Sequence, residues 1–334
     1  MQPLVTIIVP TLNRTRYLPE TLKAVLGQDY PNLEILVSDN GSTDDTPSVA
    51  RALTSGDSRV RFRRNEATVP IFEHFNQCLR AVRGEWYLVV CDDDAISPNC
   101  VSECMAVVHR HATMHVVLPA CVTMDETGST LTTFARPAGE RLDSIEFVNH
   151  WLYEESPPYF ACVATMLTRT ETVRRFGGYQ ALARGQNIDN LLFIQCAVSG
   201  PVGFARDATF KWRVYQHSYG SVTDPKLVGR SSYQLVRHLR TDPTTVAALA
   251  ALSPAERTSV VDGARLLSTR AFLYCIRFYD EPLKAFRRLF DFPFDPQFYR
   301  LVAGFYLRYF KSRIQARGVK PSNEPTGHST VSTE

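Results

Sequence analysis

The first 100 residues alternate between short apolar runs and segments whose apolar residues recur at helical spacing. The apolar runs predict buried parallel strands at 4–9, 33–37, 60–62 and 86–90. The helical spacing predicts helices at 16–26 and 71–82, and another that begins with Asp44 and Asp45 in its first turn. This alternation with short connections predicts an α/β fold, a doubly wound and mostly parallel sheet flanked by helices. Ligands bind such sheets beyond the carboxyl ends of the strands.

The rest of the chain is predicted to be mixed at first and then helical. The spacing predicts helices at 99–111 and 190–198, a strand at 115–122, and an irregular, turn-rich stretch at 129–158. Beyond about residue 230 the pattern is wholly helical, and the last residues are rich in Pro, Ser, Thr and Gly. We therefore divide the chain into an α/β domain over 1–225, a helical region over 226–319 and a disordered tail over 320–334.

Composition narrows the class of protein without identifying it. The chain is 44% hydrophobic and 21% charged, as in an ordinary globular protein, and its net charge of +3 is too weak to indicate a nucleic-acid partner. Eight cysteines without a CxxC pair favour buried thiols in a reduced, cytoplasmic protein over a zinc site. A strand begins almost at once, and no apolar run reaches about 18 residues. We therefore expect no signal peptide and only peripheral membrane contact.

The first candidate site follows the second predicted strand, at Ser38–Ser42. A carboxylate at Asp39 can accept a hydrogen bond from the ring N–H of a pyrimidine. Asn40 and Gly41 permit a sharp turn that lets the backbone approach a nucleotide. The alternative is an ordinary turn into a helix capped by Ser42 or Thr43.

The second candidate site is the run of Asp92, Asp93 and Asp94 after the apolar strand at 86–90. If the strand continues, Asp92 and Asp94 point to one side and Asp93 to the other. Adjacent carboxylates repel one another unless a cation compensates, and Mg²⁺ or Mn²⁺ prefers oxygen ligands and bridges to phosphates. The run therefore predicts a divalent metal site, with a solvated acidic turn as the alternative.

Two further segments hold groups that can react or bind phosphate. Asp189 comes just before the helix predicted at 190–198, where a carboxylate can act as general base toward a hydroxyl or simply cap the helix. The stretch at 212–221 is predicted to be a polar loop. In it, Arg213 and His217 can close over a diphosphate, with His217 as an additional metal ligand. The alternative for His217 is a surface histidine.

Together these motifs resemble the family 2 inverting glycosyltransferases of the GT-A fold, over residues 4 to 221. The motifs are V-P-T-L-N-R at 9–14, S-D-N-G-S-T-D at 38–44, G-E-W at 84–86, C-D-D-D at 91–94, F-G-G-Y at 176–179, and Asp189. Two positions depart from the family pattern. Phe75 stands before Asn76 where the family commonly has arginine, and Ile188 replaces the first acid of the pair that ends at Asp189.

The resemblance implies a GT-A catalytic domain over 1–225 and a role for each matching residue. Donor-nucleotide contacts are implied at Pro10, Thr11, Asn13, Arg14, Asp39, Asn40, Asp92 and Asp93. Metal ligands are implied at Asp94, Asp92 and His217, and acceptor or diphosphate contacts at Gly177, Gly178, Tyr179 and Arg213. The catalytic base is implied at Asp189.

The implied reaction is a single displacement with inversion at the anomeric carbon, dependent on Mn²⁺ or Mg²⁺. It moves a sugar from a nucleotide-diphosphate donor, with UDP- or dTDP-sugars favoured, to a glycan or polyprenyl-linked acceptor in cell-surface polysaccharide synthesis. A sugar nucleotidyltransferase is the main rival, but it requires a Gly-rich phosphate loop that residues 10–14 lack. The other rival is a glycan-assembly scaffold without activity.

The helical region carries a basic and aromatic segment. Residues 265 to 320 contain 12 Lys or Arg and four Asp or Glu, interleaved with Phe and Tyr. Basic amphipathic helices with aromatic faces suit an anionic membrane surface, which favours a position on the inner face of the cell membrane. The equal alternative is a helical core or an interface in a homo-oligomer.

Overall fold

The structure is a computed structural model that describes residues 2–153, 162–185, 187–215, 225–277, 300 and 303. Its strands are β1 Val5–Thr11, β2 Leu33–Asp39, β3 Val60–Arg64, β4 Trp86–Val89, β5 Ala95–Ile96, β6 Val116–Met124, β7 Thr130–Thr133, β8 Arg141–Leu142, β9 Leu167–Arg169 and β10 Val202–Arg213. Its α-helices are α1 Leu18–Leu26, α2 Thr46–Thr54, α3 Ile71–Ala81, α4 Cys100–Arg110, α5 Ser144–Tyr153, α6 Thr170–Arg175, α7 Ile188–Ala197, α8 Pro225–Thr241, α9 Pro243–Ala250 and α10 Pro254–Arg277. Short 3₁₀ turns lie at Val163–Thr165 and Ala183–Gly185.

The strands of the described part form one sheet in the order β3-β2-β1-β4-β9-β6-β10-β5. The long pairings are parallel: β1 with β2, β1 with β4, β2 with β3, and β6 with β10. The short strand β9 lies antiparallel between β4 and β6, and β5, β7 and β8 also pair antiparallel. The doubly wound, mostly parallel sheet is therefore confirmed, with short antiparallel strands that the sequence pattern does not reveal.

Both faces of the sheet are covered, which explains the uninterrupted apolar runs. Ile7 and Ile8 are each fully buried, yet they belong to different hydrophobic clusters because successive strand residues point to opposite faces. Removal of one such side chain from water stabilises the fold by about 1.5 to 3 kcal/mol. Position 84, just before β4, requires glycine because a Cβ there would lie only 2.7 Å from the carbonyl oxygen of Leu4.

The structure corrects three expectations about local structure. Helix α2 begins at Thr46, and Asp44 lies before it, where its carboxylate accepts a 3.0 Å hydrogen bond from the Thr46 N–H. The stretch at 129–158 contains the helix α5 as well as β7 and β8. The predicted loop at 212–221 begins as strand, because β10 runs on to Arg213 along β6.

The chain divides into two units, Met1–Phe292 and Pro293–Glu334. In the first unit, α8 packs against α9 and α10, and α10 also packs against α5. The helical expectation is therefore confirmed over 225–277, whereas most of the basic, aromatic segment and the whole tail lie outside the described residues. Within the described ranges, no helix is both long and apolar enough to cross a membrane.

Candidate active site

The predicted site residues of the first half lie side by side at one edge of the sheet. The register pairs Pro10 with Ser38 and Thr11 with Asp39, and β4 on the other side of β1 leads directly to the aspartates. Because the strands are parallel, these carboxyl ends open on the same side of the sheet. The fold thus brings together residues that are up to about 80 positions apart in the sequence.

Cys91–Asp94, which we call the aspartate turn, is a turn and not a continuation of β4. The Asp94 N–H donates a 3.0 Å hydrogen bond to the Cys91 carbonyl oxygen, and the extended geometry expected for the three aspartates is therefore wrong. Asp92 and Asp94 are nevertheless both buried, and Asp93 is half-buried. Each carboxylate has its own partners.

Asp92 faces the end of β1. Its carboxylate accepts a 3.2 Å hydrogen bond from the Leu12 N–H and lies 3.6 Å from Nε of Arg14. Burial and the neighbouring charge of Asp93 raise the pKa of Asp92 to about 7, against the opposing effect of Arg14. In the absence of further positive charge, this carboxylate is therefore costly to ionise.

Asp93 is held by Tyr215, a residue that the sequence does not single out. The Tyr215 hydroxyl donates a 2.6 Å hydrogen bond to Asp93 Oδ2. The Tyr215 ring lies 5.3 Å from the ring of Tyr17 and 5.6 Å from the guanidinium carbon of Arg14. Tyr215 and Arg14 thus lie together beside the aspartate turn. His217, the predicted metal ligand two positions later, lies outside the described residues.

Asp94 is held by the backbone of Arg213. The Arg213 N–H donates a 2.9 Å hydrogen bond to Asp94 Oδ1, and burial and Asp93 raise the pKa of Asp94 well above its usual range. The Arg213 side chain is 1% exposed. Its guanidinium donates to the carbonyl oxygens of Asp93, Asp125 and Glu126 and to the carboxylate of Glu20.

The expectation that Arg213 closes over a diphosphate from a loop is therefore wrong. Arg213 ends β10, and its donors are engaged inside the protein. The buried guanidinium instead fixes the backbone beneath Asp93 and Asp94. A pattern of Trp, Arg and Gly/Ser residues cannot distinguish a buried arginine from one that faces a ligand.

The aspartate turn has the chemistry of a partial site for a divalent cation. It offers carboxylate oxygens, which Mg²⁺ and Mn²⁺ prefer, and the pKa values of Asp92 and Asp94 are raised by burial and by the neighbouring negative charge of Asp93. Across the described ranges, no three His, Cys, Asp or Glu side chains converge as a complete metal site. The residues therefore fit a cation that takes the rest of its ligands from water and substrate phosphates.

The loop after β1 is joined to the loop after β2 by side-chain hydrogen bonds. Asn13 adopts a left-handed conformation (φ 54°), and its side-chain oxygen accepts a 2.9 Å hydrogen bond from the Thr43 N–H. The Asn13 N–H donates to the Ser42 hydroxyl, and the Arg14 N–H donates to the Thr46 hydroxyl. These bonds hold Arg14 beside the aspartate turn and fix the loop after β1 against the loop after β2.

Asp39 is fully buried beneath Arg64. Its carboxylate accepts hydrogen bonds from the hydroxyl and the N–H of Ser42, and it lies 3.1 Å from Nε of Arg64. The Arg64 side chain is 46% exposed, whereas that of Asp39 is 0% exposed. The group that faces solvent at the end of β2 and β3 is therefore the arginine, which the sequence does not single out.

Asn40 is engaged in the protein. Its side chain donates to the Val69 carbonyl oxygen at 2.9 Å and accepts from the Val69 N–H and the Asn65 side chain. Gly41 lies next to this segment at φ +80°, and a Cβ there would approach the carbonyl carbon of Ala67 to 2.8 Å. The Asn40 side chain thus holds the 65–69 segment over the turn, and its contact with a nucleotide stays a prediction.

Asp189 lies in the first turn of α7, so the expectation that it precedes or caps the helix is wrong. Asn187 is the residue before the helix, at φ 62°, and its side chain donates to the Ser231 hydroxyl on α8. The Asp189 carboxylate accepts a 2.9 Å hydrogen bond from the N–H of Asn190. Burial raises the pKa of Asp189, against the opposing effect of that N–H. Its burial and its raised pKa both suit a carboxylate that accepts a proton.

Cys162 connects the two groups of carboxylates. The 3₁₀ turn that follows it, Val163–Thr165, packs against β4, β6 and α7. Burial raises the pKa of the Cys162 thiol, and the nearby charges of Asp189 and of Asp94 raise it further. The Val163–Thr165 turn therefore lies between β4, which leads to the aspartate turn, and α7, which carries Asp189.

The segment of Gly177, Gly178 and Tyr179 is held by Asn76 of α3. The Asn76 side chain accepts a 2.8 Å hydrogen bond from the Tyr179 N–H and donates a 2.8 Å bond to the Tyr179 carbonyl oxygen. The Phe75 ring lies 5.0 Å from the Tyr179 ring, whose hydroxyl bonds that of Tyr87. Phe75 therefore packs where the family pattern has arginine, and Tyr179 is a buried support of this segment.

A protein-family model described as "Glycosyl transferase family 2" matches residues 6–172, half of the chain. Glycosyltransferase GlyG of Streptococcus pneumoniae is 32% identical over 101 residues, 30% of this chain and 34% of that protein. The GalNAc(5)-diNAcBac-PP-undecaprenol β-1,3-glucosyltransferase of Campylobacter jejuni is 35% identical over 105 residues, 31% of this chain and 34% of that protein. The matches thus span about a third of these relatives.

Solved structures resemble the chain over much more of its length. TarS 1–349 of S. aureus, in complex with UDP-GlcNAc, has a TM-score of 0.54 at 16% identity, over 83% of this chain and 93% of that chain. The mannosyltransferase PcManGT of Pyrobaculum calidifontis, in complex with GDP-Man and Mn²⁺, has a TM-score of 0.54 at 18% identity, over 93% of this chain and 82% of that chain. At these identities the likeness establishes the shared fold.

Proposed function

The chain belongs to glycosyl transferase family 2, and on this premise we propose that it transfers a sugar from a nucleoside-diphosphate donor to a hydroxyl group, with inversion and with a divalent metal ion. The observation that carries this proposal is the packing of the Val163–Thr165 turn against both β4, which leads to the buried Asp92 and Asp94, and α7, which carries Asp189. A transferase of this kind needs a phosphate-binding centre and a general base on either side of one reacting carbon.

The aspartate turn is the proposed centre for the diphosphate of the donor. Asp92 and Asp94 would hold Mn²⁺ or Mg²⁺ together with phosphate oxygens, with His217 as the proposed further ligand. When bound, the cation would neutralise charge that develops on the departing diphosphate. Arg14 lies beside Asp92 and Asp93 and adds a fixed positive charge to the same place.

Asp189 is the proposed general base. Its pKa is raised by burial, which makes the carboxylate a stronger base than an exposed aspartate. It would take the proton from the acceptor hydroxyl while that oxygen attacks the anomeric carbon and the bond to the diphosphate breaks. Because the attacking oxygen and the leaving group lie on opposite faces of the carbon, the configuration would invert.

The proposed acceptor is a glycan or a lipid-linked glycan. The name of the Campylobacter jejuni relative includes an undecaprenol-linked acceptor, which supports this class. The basic, aromatic residues 265–320 would suit an anionic membrane surface, on which a lipid-linked acceptor is presented. We propose accordingly that the protein works in the cytoplasm at the inner face of the membrane, in cell-surface polysaccharide synthesis.

The first experiment measures release of the nucleoside diphosphate from a panel of UDP-, dTDP-, GDP- and CDP-sugars, with Mn²⁺, with Mg²⁺ and with chelator. Turnover of one donor that needs metal and is lost in Asp94→Ala would support the proposal and identify the sugar. Asp207→Asn is the control, because Asp207 is an exposed carboxylate away from the site. Neither turnover nor calorimetric binding of any diphosphate would contradict the proposal and favour a scaffold without activity.

A further inference from the structure

Arg64 covers the buried Asp39 at the ends of β3 and β2. We propose that Arg64 is the residue that reads the base of the donor, and that the buried Asp39 orients it. The side chain would select a base with a carbonyl oxygen where cytosine and adenine have an amino group, which is O4 of uracil and thymine and O6 of guanine. This inference rests on the proposed function, because it assumes a nucleoside-diphosphate donor.

The place of Arg64 in the sheet fits the base of such a donor. Arg64 ends β3, and the register pairs it with Asp39 at the end of β2. Neighbouring strands lie about 4.8 Å apart, so β2 lies about 10 Å from β4 and the aspartate turn that follows it. A ribose and one phosphate separate the base of a nucleoside diphosphate from its terminal phosphate. A diphosphate at the aspartate turn therefore directs the base toward β2 and β3.

The guanidinium is fixed at one end and available at the other. Its Nε lies 3.1 Å from the Asp39 carboxylate, and its Nη2 donates a 2.7 Å hydrogen bond to the Ser42 carbonyl oxygen. Within the described residues Nη1 has no hydrogen-bond partner, and the side chain is 46% exposed. The Asp39 carboxylate therefore fixes the plane of the Arg64 guanidinium.

A fixed guanidinium recognises a particular edge of a base. It donates hydrogen bonds and cannot accept them, so it pairs with the O4 atom of uracil or thymine and with the O6 atom of guanine. Cytosine and adenine present an amino group at the corresponding position, and two donors repel each other. The planar group can also stack on a base, which adds affinity without selecting between bases. Selection thus depends on Arg64, and Asp39 acts through it.

The alternative is that Arg64 only covers Asp39 until the donor arrives and that the carboxylate itself binds the base. The two arrangements predict opposite effects of removing the arginine. If Arg64 reads the base, Arg64→Ala weakens the binding of the donor nucleotide. If Arg64 is a cover, Arg64→Ala exposes Asp39 and leaves binding unchanged or makes it tighter.

The test is calorimetric titration of UDP, GDP, CDP and ADP with Mn²⁺ into the full chain and its variants. We expect UDP or GDP to bind most tightly, and Arg64→Ala to weaken that nucleotide about 10- to 100-fold, the range for a hydrogen bond to a charged group. CDP and ADP should change less than about threefold, so the selectivity between bases is lost. Arg64→Lys keeps the charge without the planar fork and should recover only part of the affinity.

Arg80→Ala is the matched control, because Arg80 is also an exposed arginine paired with a carboxylate, that of Glu73, but lies on α3. Thermal unfolding of each variant checks that it is folded, and if Arg64→Ala does not fold, Arg64→Gln takes its place. Unchanged or tighter binding in that variant overturns the inference alone, as does a wild-type preference for CDP or ADP. No binding of any nucleotide by the wild type overturns the proposed function and the inference with it.

Discussion

The aspartate turn and the segment around Asp189 present the same chemical group in two different settings. In the turn, each carboxylate has a fixed partner: Leu12 for Asp92, Tyr215 for Asp93 and the Arg213 backbone for Asp94. The Asp189 carboxylate accepts a hydrogen bond from the N–H of its own neighbour Asn190. Burial raises the pKa of Asp92, Asp94 and Asp189 alike, and in the turn the neighbouring charge of Asp93 raises it further.

The difference indicates a division of labour between the two halves. Three carboxylates beside one another require positive charge, and their rigid partners fix the oxygen atoms where a cation and a diphosphate would bind. A single carboxylate bonded by the N–H of its own neighbour, with no adjacent carboxylate in the sequence, stays available for proton transfer. Rigid binding on one side and a reactive group on the other is the arrangement that the proposed transfer needs.

The largest effect should follow from neutralising the base. Asp189→Asn keeps the shape and removes the proton acceptor, so we expect transfer to fall by about 100- to 10,000-fold. The measurement is the single-turnover rate of sugar transfer with saturating donor and Mn²⁺. Asp207→Asn, which changes an exposed carboxylate in β10, should retain the wild-type rate. A rate within threefold of the wild type in Asp189→Asn would assign the proton acceptor to another group.

The next effect concerns the stability of the segment that contains Gly177 and Gly178. Gly178 has φ +81°, and a Cβ there would lie 2.3 Å from the Asn76 side-chain oxygen, so Gly178→Ala should lower the free energy of unfolding by roughly 2 to 4 kcal/mol. Gly177 has a similar φ of +77° but space around it, and Gly177→Ala should cost only about 1 kcal/mol. Urea unfolding measures both. Equal losses would mean that backbone strain alone matters.

A smaller effect should follow from loosening the aspartate turn. Tyr215→Phe removes the hydroxyl that bonds Asp93, and we expect the half-saturating Mn²⁺ concentration to rise about 5- to 10-fold, with little change in kcat. Initial rates at a series of Mn²⁺ concentrations measure this. The control is Tyr30→Phe, which removes a 2.8 Å hydrogen bond to the Pro3 carbonyl oxygen away from the site. A lower kcat at unchanged metal affinity would place Tyr215 in the chemical step instead.

The smallest effect is a pH dependence of stability in the protein without metal. The pKa of Asp92 rises from an ordinary 3.8 to about 7 on folding, so between those values the folded protein binds a proton that the unfolded chain has released. Stability should therefore decline as the pH rises through this interval. Thermal unfolding at a series of pH values tests this. The decline should be weaker in Asp92→Asn, and an equal decline would assign it to other groups.

The architecture was more accessible from the sequence than the site was. Strands buried on both faces leave apolar runs such as Ile7–Val9 and Tyr87–Val90, and these runs located β1 and β4. The strand β9 has three residues, and its antiparallel position between β4 and β6 depends on contacts with distant residues. The sequence does not predict the helix α5, because turn-forming residues around it obscure the helical spacing of its apolar residues.

For the site, sequence indicated which groups meet but not how they are paired. The aspartates and Asp189 stood out because charged residues next to apolar runs are unusual. Arg64 and Tyr215 did not, since an arginine at the end of a half-buried strand and a tyrosine in a polar stretch are ordinary. Only the register of β2 with β3 brings Arg64 to Asp39, and only the course of the chain after β10 brings Tyr215 to Asp93.

The division of labour is tested most directly by calorimetric titration of the preferred nucleoside diphosphate, with Mn²⁺ and with chelator, into Asp94→Asn and Asp189→Asn. We expect Asp94→Asn to lose the part of the affinity that depends on Mn²⁺, and Asp189→Asn to bind as the wild type does. Equal loss of affinity in the two variants, or unchanged Mn²⁺-dependent binding in Asp94→Asn, would contradict the assignment of binding to the aspartate turn and of chemistry to Asp189.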